Sequence, residues 1–186
     1  SVYGQEEVEK EYWDNGNLFI ETHYKDGKKE GLETYYYDYG KRKRSETSFK
    51  NGLREGSETW FYTNGLKSGE TTFKNDLPVG TTLWYENGNT KEQWSSTFGY
   101  SELLKGETVL KDGVSTKWYE TGEKWSVSTY KKDEKEGREV YWYPSGKKKS
   151  LKHYKNGIEN GIRKEWDEDG KLTFQGNFVD GVEEIE

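Results

Sequence analysis

Apolar and polar positions follow a short unit that recurs along all 186 residues: two aromatics, two turn formers and a glycine, then a polar run ending in Tyr or Phe. A Lys-Asn/Asp-Gly step and a second glycine close it. The copies are anchored on Tyr12-Trp13 with Gly16, Tyr36-Tyr37 with Gly40, Phe61-Tyr62 with Gly65, Trp84-Tyr85 with Gly88, Trp118-Tyr119 with Gly122, Trp142-Tyr143 with Gly146, and Trp166 with Gly170. Successive turn glycines are 24, 25, 23, 34, 24 and 24 residues apart, and a fixed period of this kind signals a repeat architecture. Residues 31–37 are long enough for one strand, Asp38-Tyr39-Gly40 supplies a tight turn, and a return strand runs to Phe49. Lys50-Asn51-Gly52 through Gly56 then turns the chain again, as do Asp26-Gly27 and Asn156-Gly157 at the same place in other copies. The pattern predicts an all-β fold with essentially no helix. It is an elongated antiparallel meander of about seven hairpin repeats and roughly 14 strands, forming one array over residues 1–186. The repeats fall near 6–27, 31–52, 56–76, 80–94, 114–133, 137–157 and 161–181.

Side chains alternate across a strand. The rings four residues before each turn glycine (Tyr12, Tyr36, Phe61, Trp84, Trp118, Trp142, Trp166) are therefore expected to form a ladder on one face, read as the core. The next position (Trp13, Tyr37, Tyr62, Tyr85, Tyr119, Tyr143, then Asp167) points to the other face. An isolated hairpin is marginal in water, so each unit needs its neighbours. Two irregularities break the period. The 34-residue step holds an insertion at about 95–105, read as a bend or protruding loop, followed by Lys111-Asp112-Gly113-Val114 as a shortened turn. At the other end Asp167 replaces an aromatic and residues 179–186 trail off acidic, as a cap would.

Composition sharpens this picture. Leu, Ile, Val and Phe together make only 31 of the 186 residues, which alone would sit near the disordered class. Eight Trp and fifteen Tyr supply the missing apolar area. The absence of Ala, with 22 Gly, suits strands and not helices. No apolar run approaches the ~18 residues of a membrane span. There is no Cys, which excludes disulfides, thiolate metal sites and cysteine nucleophiles. A net charge of −6 disfavours wholesale binding to nucleic acid. The sequence begins with Ser and contains no Met, which leaves room for a removed leader and favours a secreted or envelope-associated location over a cytoplasmic one.

With these residues in view, Tyr154-Lys155-Asn156-Gly157-Ile158-Glu159-Asn160-Gly161 and Val140-Tyr141-Trp142-Tyr143-Pro144-Ser145-Gly146-Lys147 make the unit resemble the variant MORN repeat. The resemblance covers nearly the whole chain. It implies a β-hairpin array and, because such proteins are commonly bacterial and many are labelled antitoxins of toxin–antitoxin pairs, an antitoxin-like role. The related standard repeats imply membrane association and protein scaffolding. The resemblance brings no catalytic motif, so no functional residue is carried over.

The chemical inventory is thin. His23 and His153 occupy the same repeat slot, and a shared acid–base or metal role would require them to meet across the array. Asp167-Glu168-Asp169-Gly170 resembles the start of a calcium loop, but twelfth position falls on Phe178 instead of a glutamate, and a plain turn is the favoured reading. Lys41 to Arg44 and Lys147 to Lys149 open return strands, where alternation sends their charges to both faces. No catalytic residue, cofactor or metal is expected, and the chain reads as a non-enzyme. The excess of rings remains, and exposed rings anchor protein partners or stack against sugars. Trp60, Tyr62, Tyr85, Tyr119, Tyr141 and Tyr143 are the candidate contact residues. The leading expectation is a scaffold for protein–protein interaction. A carbohydrate or cell-envelope binding module and a peripheral membrane module are the alternatives.

Overall fold

A computed structural model describes residues 4–101 and 106–185. The chain divides into two compact units, 1–88 and 89–186. The first contains β1 (Glu6–Tyr12), β2 (Leu18–Lys25), β3 (Lys28–Tyr36), β4 (Lys43–Lys50), β5 (Leu53–Phe61), β6 (Lys67–Lys74) and β7 (Leu77–Trp84). The second contains β8 (Thr90–Ser101), β9 (Gly106–Trp118), β10 (Lys124–Lys131), β11 (Glu134–Trp142), β12 (Lys148–Lys155), β13 (Ile158–Glu159), β14 (Gly161–Trp166), β15 (Leu172–Val179) and β16 (Val182–Glu184). Within each unit the strands run as an open antiparallel meander, each paired with its sequence neighbours except that β13 and β14 both pair with β12, and no helix occurs among the described residues. Two strands exceed the expected fourteen. Asn160 interrupts the strand from Ile158 and so separates β13 from β14. The acidic tail does not trail off, because Asp180-Gly181 turns it back to pair as β16 on β15.

Two turn types alternate, and both are written in the sequence. Between repeats, two-residue turns with both φ positive, such as Asn51 (52°) and Gly52 (86°), match the strand twist. Within repeats, Gly65 N–H donates to the Tyr62 carbonyl and Tyr62 N–H to the Leu66 carbonyl, at 2.9 and 2.8 Å. Here the glycine takes the left-handed position of a longer hairpin. Each inter-repeat turn also docks sideways on the repeat before it. Asn51 N–H donates to the Glu30 carboxylate at 2.7 Å and Gly52 N–H to the Lys29 carbonyl at 2.8 Å. The same pair recurs as Asn75 on Glu55 with Asp76 on Arg54, and as Asn156 on Glu136 with Gly157 on Lys135. Lys/Arg-Glu-Gly is thus the receiving motif, and its glycine, as in Gly56 (96°) and Gly137 (82°), shapes the bulge that presents it.

The buried row is not the predicted ladder. Tyr12 is 61% exposed, and Tyr36, Phe61, Trp84, Trp118, Trp142 and Trp166 are only half-buried. Substantial contacts between strands run only between sheet neighbours, so within each unit no second layer covers these rings among the described residues. What is buried is polar: Thr22, Glu33, Thr47, Thr59, Thr71, Ser115, Ser126, Ser128 and Glu139, with Ile20, Phe73, Leu110 and Phe178 as the buried apolar residues. Most belong to one face, where a module repeats. A cation pairs with the carboxylate four residues on and lies over the strand-ending ring of the next strand. Lys29 pairs with Glu33 and lies 4.9 Å from the Phe49 centroid. Arg54 pairs with Glu58 at 3.5 Å and sits 4.0 Å from Phe73. Lys135 pairs with Glu139 at 2.6 Å and sits 4.7 Å from Tyr154. A buried carboxylate is tolerable only when paired and bonded, and the preceding strand adds a hydroxyl: Thr22 to Glu33 at 3.1 Å, Ser128 to Glu139 at 2.9 Å.

The insertion is neither a bend nor a loop over its described part. Residues 95–101 continue β8, and their partners 106–111 lengthen β9; residues 102–105 lie outside the described residues. The Lys111-Asp112-Gly113 step is accordingly no turn. Lys111 takes the slot of Lys29 and Arg54, pairing with Glu92 at 2.8 Å and lying 4.6 Å from the Trp94 centroid. Gly113 (99°) takes that of the bulge glycine.

Candidate functional site

The face that carries the cation–carboxylate–ring module also carries all six candidate contact residues, three in each unit. Trp60 pairs across Ser45 and Gly69. A Cβ on Gly69 would stand 3.1 Å from the Trp60 ring, so the glycine is the floor on which that ring lies. Tyr62, Tyr119 and Tyr143 do more than present rings. Their hydroxyls donate to the carbonyls of Trp84, Trp142 and Trp166 at 2.7, 2.8 and 2.9 Å, and Tyr37 repeats the contact with Phe61 at 2.9 Å. Each tyrosine stitches its hairpin to the next repeat. Tyr85 occupies the same slot, its carbonyl accepting the Gly88 N–H. Tyr141 donates to Glu139 at 3.2 Å.

In the second unit this face sinks into a depression of about 640 Å³ between β10 and β15, within the usual range for ligand sites. Trp125, Tyr141, Tyr143 and Tyr154 supply its rings, Lys135, Lys149 and Lys152 its cations, and Glu139, Glu165 and Asp167 its carboxylates. Trp125 is the extra residue of a bulge between Lys124 and Ser126. It stands 40% exposed, 6.1 Å from Tyr141 and 6.4 Å from Tyr119 between ring centroids. Sequence alternation misses it because the bulge returns its side chain to the aromatic face. Lys149 reaches this face in the same way and lies 5.4 Å from the Tyr143 centroid. In the first unit the stacked Tyr37–Tyr39 pair, 5.2 Å apart, is likewise partly open, with Tyr39 56% exposed.

Electrostatically the depression centres on Glu139. Burial raises its affinity for a proton, but bonds from Lys135, Ser128 and Tyr154 outweigh burial and hold the carboxyl below the usual carboxylate range. Burial, then the Glu139 charge and the bond to it, push the Tyr141 phenol up to about 12. The same causes raise Tyr154 further. These groups hold their protons over the whole neutral range, which suits a fixed binding surface and not proton transfer near pH 7.

The remaining candidates are occupied locally. His23 bonds Glu21 at 3.2 Å, and His153 Nδ1–H donates to the Ile162 carbonyl at 2.7 Å. The two histidines belong to different units, each close to a bulge glycine, Gly31 and Gly161. The Asp167 carboxylate accepts the Asp169 and Lys171 N–H groups at 3.1 and 2.9 Å, as a turn residue does. Arg42 donates to the Thr63 carbonyl and Lys43 pairs with Glu46. Among the described residues no group of three or more His, Asp or Glu is arranged to hold a metal ion, and no helix is long and apolar enough to cross a membrane.

The family model described as MORN repeat variant matches residues 8–26, 54–75, 111–132, 135–156 and 159–180, more than half of the chain. Each of the last four matches opens at or just before a bulge glycine and closes on an inter-repeat turn. No curated protein matches the chain.

Proposed function

Since the chain belongs to the MORN repeat variant family, whose repeats serve as binding modules, we propose that it is a non-catalytic scaffold for protein–protein interaction that engages its partner through the aromatic face. The depression between β10 and β15 carries this reading. There, open Trp125 and half-buried Tyr141 and Tyr143 stand among cations and carboxylates whose geometry is already fixed by the sheet. Such preorganised rings with a charged surround are how partners are anchored at low entropic cost. On the same grounds Trp60, Tyr62 and Tyr85 offer contacts in the first unit. Panning a random-peptide display library on the full chain and on Trp125→Ala tests the reading. The full chain should enrich a consensus that the variant does not. Equal enrichment on both, or none on either, refutes it.

A glycan-binding reading has its own support in the stacked, exposed Tyr37–Tyr39 pair and in Trp125, because flat open rings also stack against sugars. Tryptophan emission that does not change on titration with cell-wall glycan fragments removes it.

A further inference from the structure

The opposite face follows the same strand-and-turn plan in both units but carries different charges. In the first unit, lysines near the start of the return strands are neutralised on the spot: Lys43 pairs with Glu46 and Lys67 with Glu70. In the second unit the lysines remain, as Lys124 and Lys148, beside Trp118 and Trp142. The carboxylates do not remain, because the positions of Glu46 and Glu70 are taken by Val127 and Leu151. Val140 joins these two across the sheet. Arg138 and Lys164 stand on the same face, and the three rows from β9 to β14 contain no carboxylate. The result is an aliphatic and tryptophan strip rimmed by cations that have no carboxylate partner among the described residues.

Resting on the reading of the protein as an interaction scaffold, we infer that this face of the second unit docks an acidic, amphipathic segment of a partner protein, whose carboxylates take the places of Glu46 and Glu70. Charge complementarity selects the occupant. A second copy of this face would bring like charges together. Five strands at about 4.8 Å and three rows of side chains span only about 500 Å², well short of what one folded partner contributes to a standard interface. That area fits a single segment. The lysines repeat every second strand, about 9.6 Å apart, so they ask for carboxylates held at fixed intervals, as a polypeptide holds them and a fluid headgroup layer does not.

The probe is a fluorescent ten-residue peptide of alternating Glu and Leu, titrated by anisotropy into the full chain. Saturable binding is expected, weakening about ten-fold on raising salt from low to physiological strength. Lys124→Glu/Lys148→Glu should lower affinity at least ten-fold. Val127→Glu/Leu151→Glu, which copies a surface the first unit already folds with, should do the same, and Trp125→Ala should not. Unchanged affinity in both double variants overturns the inference, and so does equal affinity for poly-glutamate, which lacks the apolar residues. If the peptide fails to bind but vesicles of phosphatidylcholine and phosphatidylserine at 7:3 sediment the chain in a Lys124- and Lys148-dependent way, the face is a membrane surface and the inference falls. Loss of a displayed consensus in Trp125→Ala, with no effect of either double variant on any ligand, leaves the scaffold reading standing and this one refuted.

Discussion

Lys135→Met isolates what the cation–carboxylate–ring module contributes. The methionine keeps most of the stem that packs on Tyr154 but removes the charge 2.6 Å from Glu139, a residue only 3% exposed. Breaking a buried pair by removing one partner costs about 3 to 5 kcal/mol. The lower end applies here, because Ser128 and Tyr141 still donate to the carboxylate and the lysine itself is 30% exposed. The lost cation over Tyr154 adds up to about 1 kcal/mol. For a chain of this size about 3 kcal/mol corresponds to a melting shift of roughly 6 to 12 °C. Repeat arrays need not unfold in one step, so circular dichroism melting should be joined by hydrogen exchange on β11 and β12, where protection should fall first. Lys43→Met is the control. Its pair with Glu46 is a surface pair, the lysine 46% exposed, and should be worth no more than about 1 kcal/mol. Acid supplies a second check. The Glu139 carboxyl titrates below its unfolded value of ~4.3, so its contribution is present above that pH and is lost as pH falls through the folded value. The gap between wild type and Lys135→Met should therefore close in strong acid. A Lys135→Met melt indistinguishable from that of Lys43→Met, or a gap that does not depend on pH, would refute the reasoning.

Other outcomes follow from the same geometry. Tyr62→Phe, Tyr119→Phe and Tyr143→Phe should each cost about 1 kcal/mol by urea unfolding and add nearly independently, since they lie in separate repeats; three neutral variants would mean that the inter-repeat bonds do not stabilise. Gly137→Ala, at φ 82° with nothing near a new Cβ, should cost about 1 to 2 kcal/mol. Gly161→Ala should cost more, because its Cβ would also stand 3.2 Å from that of His153. Lys132 holds a left-handed turn position at φ 51°, and Lys132→Asn should raise stability by about 0.5 to 1 kcal/mol. Tyr141, pushed up to about 12, stabilises the fold below its unfolded value of ~10 and loses that effect as pH rises through the folded value. Phenolate absorbance should therefore show late-titrating tyrosines that move down in Glu139→Gln.

Most of the architecture was legible because turn chemistry is local. Asn51-Gly52 and Asn156-Gly157 announce two-residue hairpins, and the glycine after each aromatic pair announces the longer one. What stayed hidden depended on bulges. Repeats place extra residues at Lys/Arg-Glu-Gly or its counterpart and, on the return strand, at a position such as Trp125, so simple alternation loses track of which face a side chain joins. Hydropathy also misdirected the choice of core. Nothing in a count of apolar residues marks Glu33 and Glu139 as buried positions, because that depends on Lys29 and Lys135 four residues earlier and on a ring supplied by the next strand. The insertion misled for a related reason. Lys111-Asp112-Gly113 looks like a truncated turn until β8 and β9 pair along their whole length and show it to be the bulge of a longer hairpin.

Equivalence between repeats turns single side chains into statements about function. Where most copies keep the same contact, as with the hydroxyls of Tyr37, Tyr62, Tyr119 and Tyr143 and the docked turns, the sheet itself is the beneficiary, since its strands have to be tied to one another. Where copies diverge while the fold does not, stability is a poor explanation. Glu46 and Glu70 neutralise their lysines in the first unit, and Val127 and Leu151 leave the matching lysines without carboxylates in the second, on the same strands with the same turns. The change gives up one weak surface pair per hairpin, each worth less than about 1 kcal/mol, and puts half-buried aliphatic side chains beside the lysines. Cross-strand contact among Val127, Val140 and Leu151 offsets the lost pairs, but it leaves the lysine charges unanswered. An external carboxylate-bearing segment that covers the strip would answer those charges.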